Sequence, residues 1–351
     1  MRIAFLTSTP ANVAEGSGTW VGIDTLAHAL REMEHEVDIV RPARRWPIHT
    51  LERILFNQSL RLRDLRSYQL VVGFDMDGYA IRVPHVVAIK GVLADEAGFE
   101  RGLTRRLMQL QARFERRNLH RARRIIATSA YSARRIVELY APPSLPEVVP
   151  ELIDLRRWHE LFASVETRPS GRFVVLTVAR FYRRKRVDVL LDAAARLSRE
   201  LPDFELRIVG EGPEEARLRA LAPPCARFLR TLSAEDLAAE YRNCDVFCLP
   251  SVQEGFGIVL LEAMAAGKPI VAVRAGAAPE VAAHGLLAAP DNAESLARAI
   301  YRLWNDRVLA AEIAQQGRRI VMQYDAPLVA RRFLEAAAGN TLNASAASRQ
   351  P

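Results

Sequence analysis

Residues 245–262 of the chain read Asp245-Val-Phe-Cys-Leu-Pro-Ser-Val-Gln-Glu254-Gly-Phe-Gly-Ile-Val-Leu-Leu-Glu262. The stretch begins as an apolar, strand-like segment, passes through a turn with two glycines, and continues as a helix-like segment from Ile258 to Ala266. A strand that turns directly into a helix is the repeating unit of parallel α/β folds. Backbone N–H groups at such a helix start favour an anion, typically a phosphate. The stretch therefore predicts an α/β fold with a phosphate-binding turn.

Strand-like and helix-like segments alternate along the rest of the chain. The predicted strands of the first half are Ile3–Thr7, Val37–Val40, Leu70–Phe74, His85–Ile89, Arg124–Thr128 and Glu147–Val149. Those of the second half are Phe173–Val178, Glu205–Val209, Arg227–Leu229, Val246–Leu249 and Ile270–Val273. Such alternation predicts parallel sheets covered by helices on both faces. Because 351 residues are enough for two separate cores, two α/β domains are expected.

Two carboxylates of the opening stretch, Glu254 and Glu262, are eight positions apart. Eight helical residues span about 12 Å, whereas the two carboxylates of a glycosidase are about 5–9.5 Å apart. The spacing therefore favours two ends of one elongated ligand over a single scissile bond.

Together with the continuation Ala263-Met-Ala-Ala-Gly-Lys-Pro-Ile-Val-Ala272, this stretch resembles the E-x7-E motif of retaining glycosyltransferases of family 4. The resemblance implies the GT-B fold, in which two Rossmann-like domains face each other across a cleft. The expected divisions are an acceptor-binding domain at 1–165, a nucleotide-sugar-binding domain at 166–325, a C-terminal helix at 326–338 that crosses back to the first domain, and a disordered tail at 339–351.

The resemblance also implies a donor site. Arg180 and Lys185, five residues apart after a predicted strand, match the Arg and Lys that the family places on the donor diphosphate. Fixed positive charge there would stabilise the leaving nucleoside diphosphate in the transition state. Glu254 is expected to bind hydroxyls of the donor sugar, and Arg180, Lys185 and Glu254 are the expected catalytic residues. The other expected donor-binding residues are Gly18, Gly255, Phe256, Gly257, Ile258 and Glu262, the last of which is expected to hold the ribose.

Several positions depart from the family pattern, among them the following four. Arg186 follows Lys185 where the family usually has Gly, and Ser17 replaces the first Gly of the loop that precedes Gly18. Lys90 stands where many relatives carry His, and Glu151 replaces the Asn of the Pro-Asn-Gly segment. Whether Lys90 takes over the role of the histidine is left open by the sequence.

The acceptor side of the predicted site contains Asp75, Asp77 and Lys90. Asp75-Met-Asp77 also has the D-x-D spacing that binds Mn²⁺ or Mg²⁺ in another glycosyltransferase fold. Because Arg180, Lys185 and a helix N-terminus already face the diphosphate, no metal is expected. Asp75 and Asp77 are expected to bind acceptor hydroxyls or to shape a turn.

These expectations describe a metal-independent, retaining transfer of a hexosyl group from a UDP- or GDP-linked sugar, without a cofactor. The acceptor would be a hydroxyl of a glycan, a lipid-linked molecule or a small molecule, in polysaccharide or glycoconjugate biosynthesis. Two alternatives stay open: a related GT-B phosphorylase or hydrolase, and a non-catalytic binding protein docked on a membrane.

Positive charge is concentrated in Arg101–Arg124, which contains nine arginines and one acid, within a chain of net charge +8. Two interpretations of this segment remain open, a solvated helix face and peripheral contact with an anionic membrane. Nucleic acid is not expected because no aromatic residues alternate with the arginines. Three cysteines and no apolar run of about 18 residues favour a cytoplasmic protein, with the inner face of the plasma membrane as a docking surface.

Overall fold

The computed structural model describes residues 1–11, 18–44, 46, 48–166, 171–230 and 232–339. Most of the loop before Gly18, including Ser17, and nearly all of the predicted tail lie outside these residues. Within them the chain forms two compact units. Unit 1 contains Met1–Ala11, Thr19–Leu152 and the residues from Ala326 onward, whereas unit 2 contains Gly18 and Ile153–Asp325.

Unit 1 is built on a parallel six-stranded sheet with the order β2-β1-β3-β4-β5-β6. Its strands are β1 (Arg2–Leu6), β2 (Glu36–Val40), β3 (Leu70–Phe74), β4 (Val86–Ile89), β5 (Arg124–Ala127) and β6 (Glu147–Val148). The helices between them are α1 (Gly18–Glu32), α2 (His49–Ser59), α3 (Leu93–Ala97), α4 (Gly102–Leu119) and α5 (Ala130–Tyr140).

Unit 2 repeats this architecture with the strand order β12-β11-β10-β7-β8-β9, again parallel throughout. Its strands are β7 (Phe173–Val178), β8 (Phe204–Val209), β9 (Ala226–Leu229), β10 (Val246–Leu249), β11 (Ile270–Val273) and β12 (Leu286–Ala288). Its helices are α6 (Leu155–Ser164), α7 (Val187–Glu200), α8 (Glu215–Leu221), α9 (Ala234–Asn243), α10 (Ile258–Ala265), α11 (Ala278–Val281), α12 (Ala293–Asn305) and α13 (Arg307–Val321).

The central strands are apolar along their whole length, as in parallel sheets that are covered on both faces. All four residues of β4, β10 and β11 are buried. Alternate residues of β10 belong to separate cores: Val246 and Cys248 pack on one side of the sheet and Phe247 and Leu249 on the other. The two parallel sheets with flanking helices confirm the predicted α/β class.

The last described helix, α14 (Ala326–Ala338), belongs to unit 1 rather than to the unit that precedes it in the chain. Its apolar face packs in the same core as β1, and the rings of Phe333 and Phe5 meet edge to face at 6.4 Å. The core of unit 1 is therefore completed by residues more than 170 positions beyond its other segments.

Each sheet has one point where the strand order changes direction, and ligands of open α/β sheets bind in the crevice at such a point. In unit 1 it lies between β1 and β3, and in unit 2 between β10 and β7. The ligand-binding residues are therefore expected on the loops that follow these strands. Among the described helices, none is both long and apolar enough to cross a bilayer.

Candidate functional site

The switch point of unit 2 brings two of the predicted catalytic residues together. β7 leads through Ala179 and Arg180 into a 3-10 turn at Arg183–Lys185, and β10 leads through a loop to α10. Because β7 and β10 are neighbouring parallel strands, these two loops leave the sheet side by side. Lys185 Nζ lies 2.5 Å from Glu254 Oε1, and both side chains are largely buried.

Arg180 lies on the same loop as Lys185. Its guanidinium Nη1 is 4.0 Å from the Glu211 carboxylate, which follows β8. The loop is fixed by backbone hydrogen bonds in which Phe181 N–H donates to Glu211 O and Glu214 N–H donates to Phe181 O. The side chains of Arg180 and Lys185 are thus held at the carboxyl ends of β7 and its neighbours, where their positive charge can bind a phosphate.

The start of α10 supplies the other half of the site. Gly257 caps the helix with φ 92°, a left-handed conformation that side chains disfavour. Gly255, Phe256 and Gly257 form the turn between Glu254 and Ile258, the first residue of α10, and Phe256 is buried against Tyr324. The first N–H groups of a helix lack intrahelical acceptors and favour an anion, and the start of α10 points to such a site after this turn.

A contact that the sequence did not predict holds Glu254 in place. Ala277 N–H donates to Glu254 O at 3.0 Å, in the turn that leads into α11. A Cβ on the preceding residue, Gly276, would lie 2.7 Å from Glu254 N and 3.0 Å from Glu254 O. Gly276 therefore allows the two backbones to approach, and its φ of 60° adds a second reason for glycine.

Glu262 lies on α10, and its carboxylate accepts a hydrogen bond from Tyr241 Oη at 2.7 Å. Burial raises the pKa of the Glu262 carboxyl to about 7, although the hydrogen bond from Tyr241 acts in the opposite direction. This partner could not be predicted, because Tyr241 is on α9 and reaches Glu262 only in the folded unit.

Asp77, at the switch point of unit 1, is fully buried and its carboxylate is occupied. One oxygen accepts from Ser8 N–H and Ser8 Oγ at 2.6 and 2.7 Å, and the other accepts from Asn57 Nδ2 at 2.8 Å. Arg53 lies 3.6 Å away. Of the two roles expected for Asp77, these contacts fit the shaping of a turn, because three hydrogen bonds and complete burial enclose its carboxylate.

Asp75 and Lys90 come together at the ends of β3 and β4. The Asp75 carboxylate accepts the backbone N–H of Lys90 at 2.7 Å. Burial raises the pKa of Asp75 to about 6. The ammonium group of Lys90 turns to the Glu151 carboxylate at 2.7 Å, and the two side chains are only 7% and 4% exposed. Two separate departures from the family pattern are therefore partners in one buried ion pair.

The comparisons with known proteins agree on the class of this chain. Residues 16–157 match the family model described as Glycosyltransferase Family 4, and residues 160–320 match the model described as Glycosyl transferases group 1.

Two curated relatives are similar over part of the chain. A D-inositol 3-phosphate glycosyltransferase of Pseudarthrobacter chlorophenolicus is 34% identical over 209 residues, which are 55% of this chain and 50% of the relative. A GDP-mannose-dependent alpha-(1-6)-phosphatidylinositol monomannoside mannosyltransferase of Mycobacterium tuberculosis is 32% identical over 213 residues, 55% of each protein. The chain spans about half the length of the curated relatives it matches.

Solved structures match nearly the whole chain at lower identity. A sucrose-phosphate synthase from Thermosynechococcus elongatus aligns with TM-score 0.77 and 18% identity, over 99% of this chain and 100% of that one. Anabaena HepE, solved in complex with UDP and glucose, aligns with TM-score 0.72 and 21% identity, over 96% and 99%. These likenesses show that the fold is that of GT-B glycosyltransferases.

Proposed function

The chain belongs to glycosyltransferase family 4, and from that premise we propose that it transfers a hexosyl group, with retention of configuration, from a UDP- or GDP-linked sugar to an acceptor hydroxyl. Family membership supports the coarser part, a glycosyltransferase that uses a nucleotide-sugar donor. The contact between Lys185 and Glu254 at the switch point of unit 2 carries the finer part. The acceptor belongs to a glycan, a lipid-linked molecule or a small molecule.

In this proposal Arg180 and Lys185 bind the diphosphate, and N–H groups at the start of α10 reach its oxygens. Glu254 accepts hydrogen bonds from donor-sugar hydroxyls while its other contact, Lys185 Nζ, stays at the diphosphate end. Glu262 binds the ribose. Gly18, the first residue of α1, remains a proposed donor-binding residue.

The chemistry proposed is attack from the face that the nucleotide leaves. The bond between the anomeric carbon and the phosphate oxygen breaks, and the acceptor oxygen bonds to the same carbon. The acceptor proton passes to the leaving phosphate. Lys185 and Arg180 stabilise the negative charge that develops on the diphosphate, which is worth about 10²–10³-fold in rate for one such group.

The reaction is proposed to need no metal and no cofactor, because two cations and a helix N-terminus meet the diphosphate charge. Unchanged turnover in excess EDTA is the expected result. Activity that EDTA abolishes and Mn²⁺ restores would contradict this part of the proposal.

On the acceptor side, Asp75 and Lys90 remain the proposed residues, with Lys90 acting together with Glu151 as one ion pair. We do not assign Asp77 to the acceptor, since its carboxylate is occupied by Ser8 and Asn57.

The direct test replaces the two cations. Arg180→Ala and Lys185→Ala are each expected to lower kcat at least about 10²-fold with UDP- or GDP-sugars. Arg196→Ala is the matched control, since Arg196 pairs with Asp192 on the exposed face of α7, away from the loops of the site. Normal turnover by either site variant would refute the diphosphate role. Product analysis with and without an acceptor separates transfer from hydrolysis or phosphorolysis.

Peripheral contact with an anionic membrane is proposed for the segment Arg101–Arg124. Most of its arginines are exposed on α4 and its ends, and Leu103 is 70% exposed, whereas its one acid, Glu115, is fully buried. The outward face of this segment therefore combines positive charge with an apolar side chain. Co-sedimentation with phosphatidylserine vesicles, but not with phosphatidylcholine vesicles, is expected. Replacing Arg105, Arg106 and Arg113 by Gln should abolish it.

A further inference from the structure

Arg186 has a backbone conformation that a side chain of this size rarely takes. Its φ and ψ are 50° and 35°, and it both ends the 3-10 turn at Arg183–Lys185 and precedes the first residue of α7. An L-residue with a Cβ has a steric cost in this region, which glycine avoids. The chain therefore keeps an arginine where glycine would fit the backbone better.

The Arg186 side chain is used in an ion-pair network within unit 2. Its Nε lies 2.5 Å from Asp291 Oδ1, and its Nη1 lies 4.0 Å from Asp188 Oδ2. Asp188 is also held by Arg217 Nη2 at 2.7 Å. Asp291, just before α12, has φ 55°. Two residues with left-handed backbones thus meet through their side chains.

This network lies next to the lysine proposed to bind the diphosphate. Lys185 is the residue before Arg186, and its ammonium group reaches Glu254. On the other side of Lys185, Arg184 O accepts from Val252 N–H at 2.9 Å, which ties the turn to the loop after β10. The backbone of Lys185 is therefore held from both sides, by the Arg184 carbonyl and by the Arg186 side chain.

We propose that Arg186 is a positioning residue for donor binding: its ion pair with Asp291 holds the turn so that Lys185 faces the diphosphate. The inference rests on the proposed function of Lys185. Arginine restrains the turn in a way that glycine would not. Glycine would relieve the strained backbone but would leave the turn free to take other conformations. The strained backbone of Arg186 lowers the stability of the fold, whereas its ion pair with Asp291 raises it. Nucleotide binding is expected to depend on the ion pair and not on the strain.

The contribution of the Arg186–Asp291 ion pair to nucleotide affinity has an upper limit. Arg186 and Asp291 are 32% and 50% exposed, and an exposed ion pair contributes little in water. The pair cannot favour the binding-competent turn by more than its own free energy, so its loss should weaken nucleotide binding by about two- to fivefold.

The experiment measures Kd for UDP and for GDP by titration calorimetry on the full chain, with Tm for each variant. Arg186→Gly removes the side chain and the strain, whereas Arg186→Ala removes the side chain and keeps the strain. Asp291→Asn breaks the same pair from its other end, with a residue that tolerates the left-handed region. Arg196→Ala serves as the control for loss of an exposed arginine pair.

All three variants of the pair are expected to bind the preferred nucleotide about two- to fivefold more weakly at low salt, and the difference from wild type should narrow in 1 M salt. Arg186→Gly should have a higher Tm than Arg186→Ala although both bind equally weakly. Binding by Arg186→Gly that equals wild type would overturn the inference alone. Failure of the wild type to bind either UDP or GDP would overturn the proposed function and the inference with it.

Discussion

Lys185 and Lys90 are each held by a carboxylate at the carboxyl end of a parallel sheet, but their surroundings differ. The Lys185–Glu254 pair is partly accessible and lies beside the start of α10, where a ligand phosphate can join it. The Lys90–Glu151 pair is almost completely enclosed in unit 1. A buried ion pair holds its two side chains in one geometry, and breaking it leaves an uncompensated buried charge.

The enclosed pair predicts a non-additive effect on stability. Lys90→Met leaves the Glu151 carboxylate buried without its partner and should lower the free energy of unfolding by about 3–5 kcal/mol. Lys90→Met combined with Glu151→Met removes both charges and should cost clearly less. Urea unfolding of the two single variants and the double variant measures the coupling. Simple addition of the two single effects would show that the residues are not coupled.

Glu262 predicts a pH dependence. Burial raises its pKa to about 7 in the folded chain, so the folded state binds more protons than the unfolded state between pH 4.5 and 7. Its contribution to stability is therefore most favourable below pH 4.5 and is lost as the pH rises through 7.

Glu262→Gln keeps an oxygen for Tyr241 but cannot ionise. The variant should match wild type in Tm at about pH 4 and exceed it above about pH 7, where the difference in unfolding free energy should be on the order of a few kcal/mol. Thermal unfolding of both proteins across this pH range checks the sign. A Tm difference that does not change with pH would mean that Glu262 has an ordinary pKa.

At the scale of secondary structure, the turn that contains Gly276 decides where Glu254 lies. Gly276→Ala would bring a Cβ to 2.7 Å from Glu254 N, in addition to the strain of a positive φ. We expect a loss of about 1–3 kcal/mol in stability and weaker donor binding, because the backbone of Glu254 must shift.

Gly171→Ala is the matched control for this prediction. Gly171 has φ 68°, close to that of Gly276, but no other part of the described chain beyond its two neighbours comes within 4 Å of its Cβ position. Gly171→Ala should introduce the backbone strain without displacing Glu254. Its Kd for UDP or GDP should therefore equal that of wild type. Equal Kd values for the two variants would show that the close approach has no role in the site.

Most of the strands could be predicted because a buried parallel strand is apolar throughout. The residues of β3, β7, β10 and β11 are apolar or small runs whose predicted bounds match the structure. β12 was missed, since Leu286–Ala288 is too short to carry a pattern and is a strand only through its pairing with β11.

The predicted site could be placed on the right loops, but its contacts could not. Lys90 and Glu151 are 61 positions apart in sequence, and only the order of strands β4, β5 and β6 brings them within 2.7 Å. Asp77 looked available in sequence because the carboxylate spacing says nothing of Ser8 and Asn57. Contacts of this kind depend on packing between elements that a single sequence does not encode locally.

At the scale of the whole molecule, the two units do not follow the order of the chain. Apart from Gly18, the described residues of unit 2 all belong to the single segment Ile153–Asp325, whereas unit 1 takes residues from both ends of the described chain. The apolar face of α14 is part of the unit 1 core, and Phe333 is buried there against Phe5.

Phe333→Ala should therefore destabilise unit 1 by about 3–5 kcal/mol, which is the usual cost of removing a buried aromatic ring. Leu328→Ala, on the same helix but with its side chain largely exposed, should cost less than about 0.5 kcal/mol. Limited proteolysis followed by fragment mapping measures which unit opens. Cleavage confined to unit 2 in Phe333→Ala would contradict the assignment of α14 to unit 1.

The position of α14 in the unit 1 core also affects the order in which the two units fold during synthesis on the ribosome. Domains generally fold as they emerge, at synthesis rates of about 5–20 residues per second. Here the segment made first must wait for Ala326–Ala338, whereas Ile153–Asp325 can close its own sheet earlier. In the nascent chain, the apolar surface of unit 1 that Phe333 covers therefore stays exposed until α14 has been synthesised and has emerged from the ribosome.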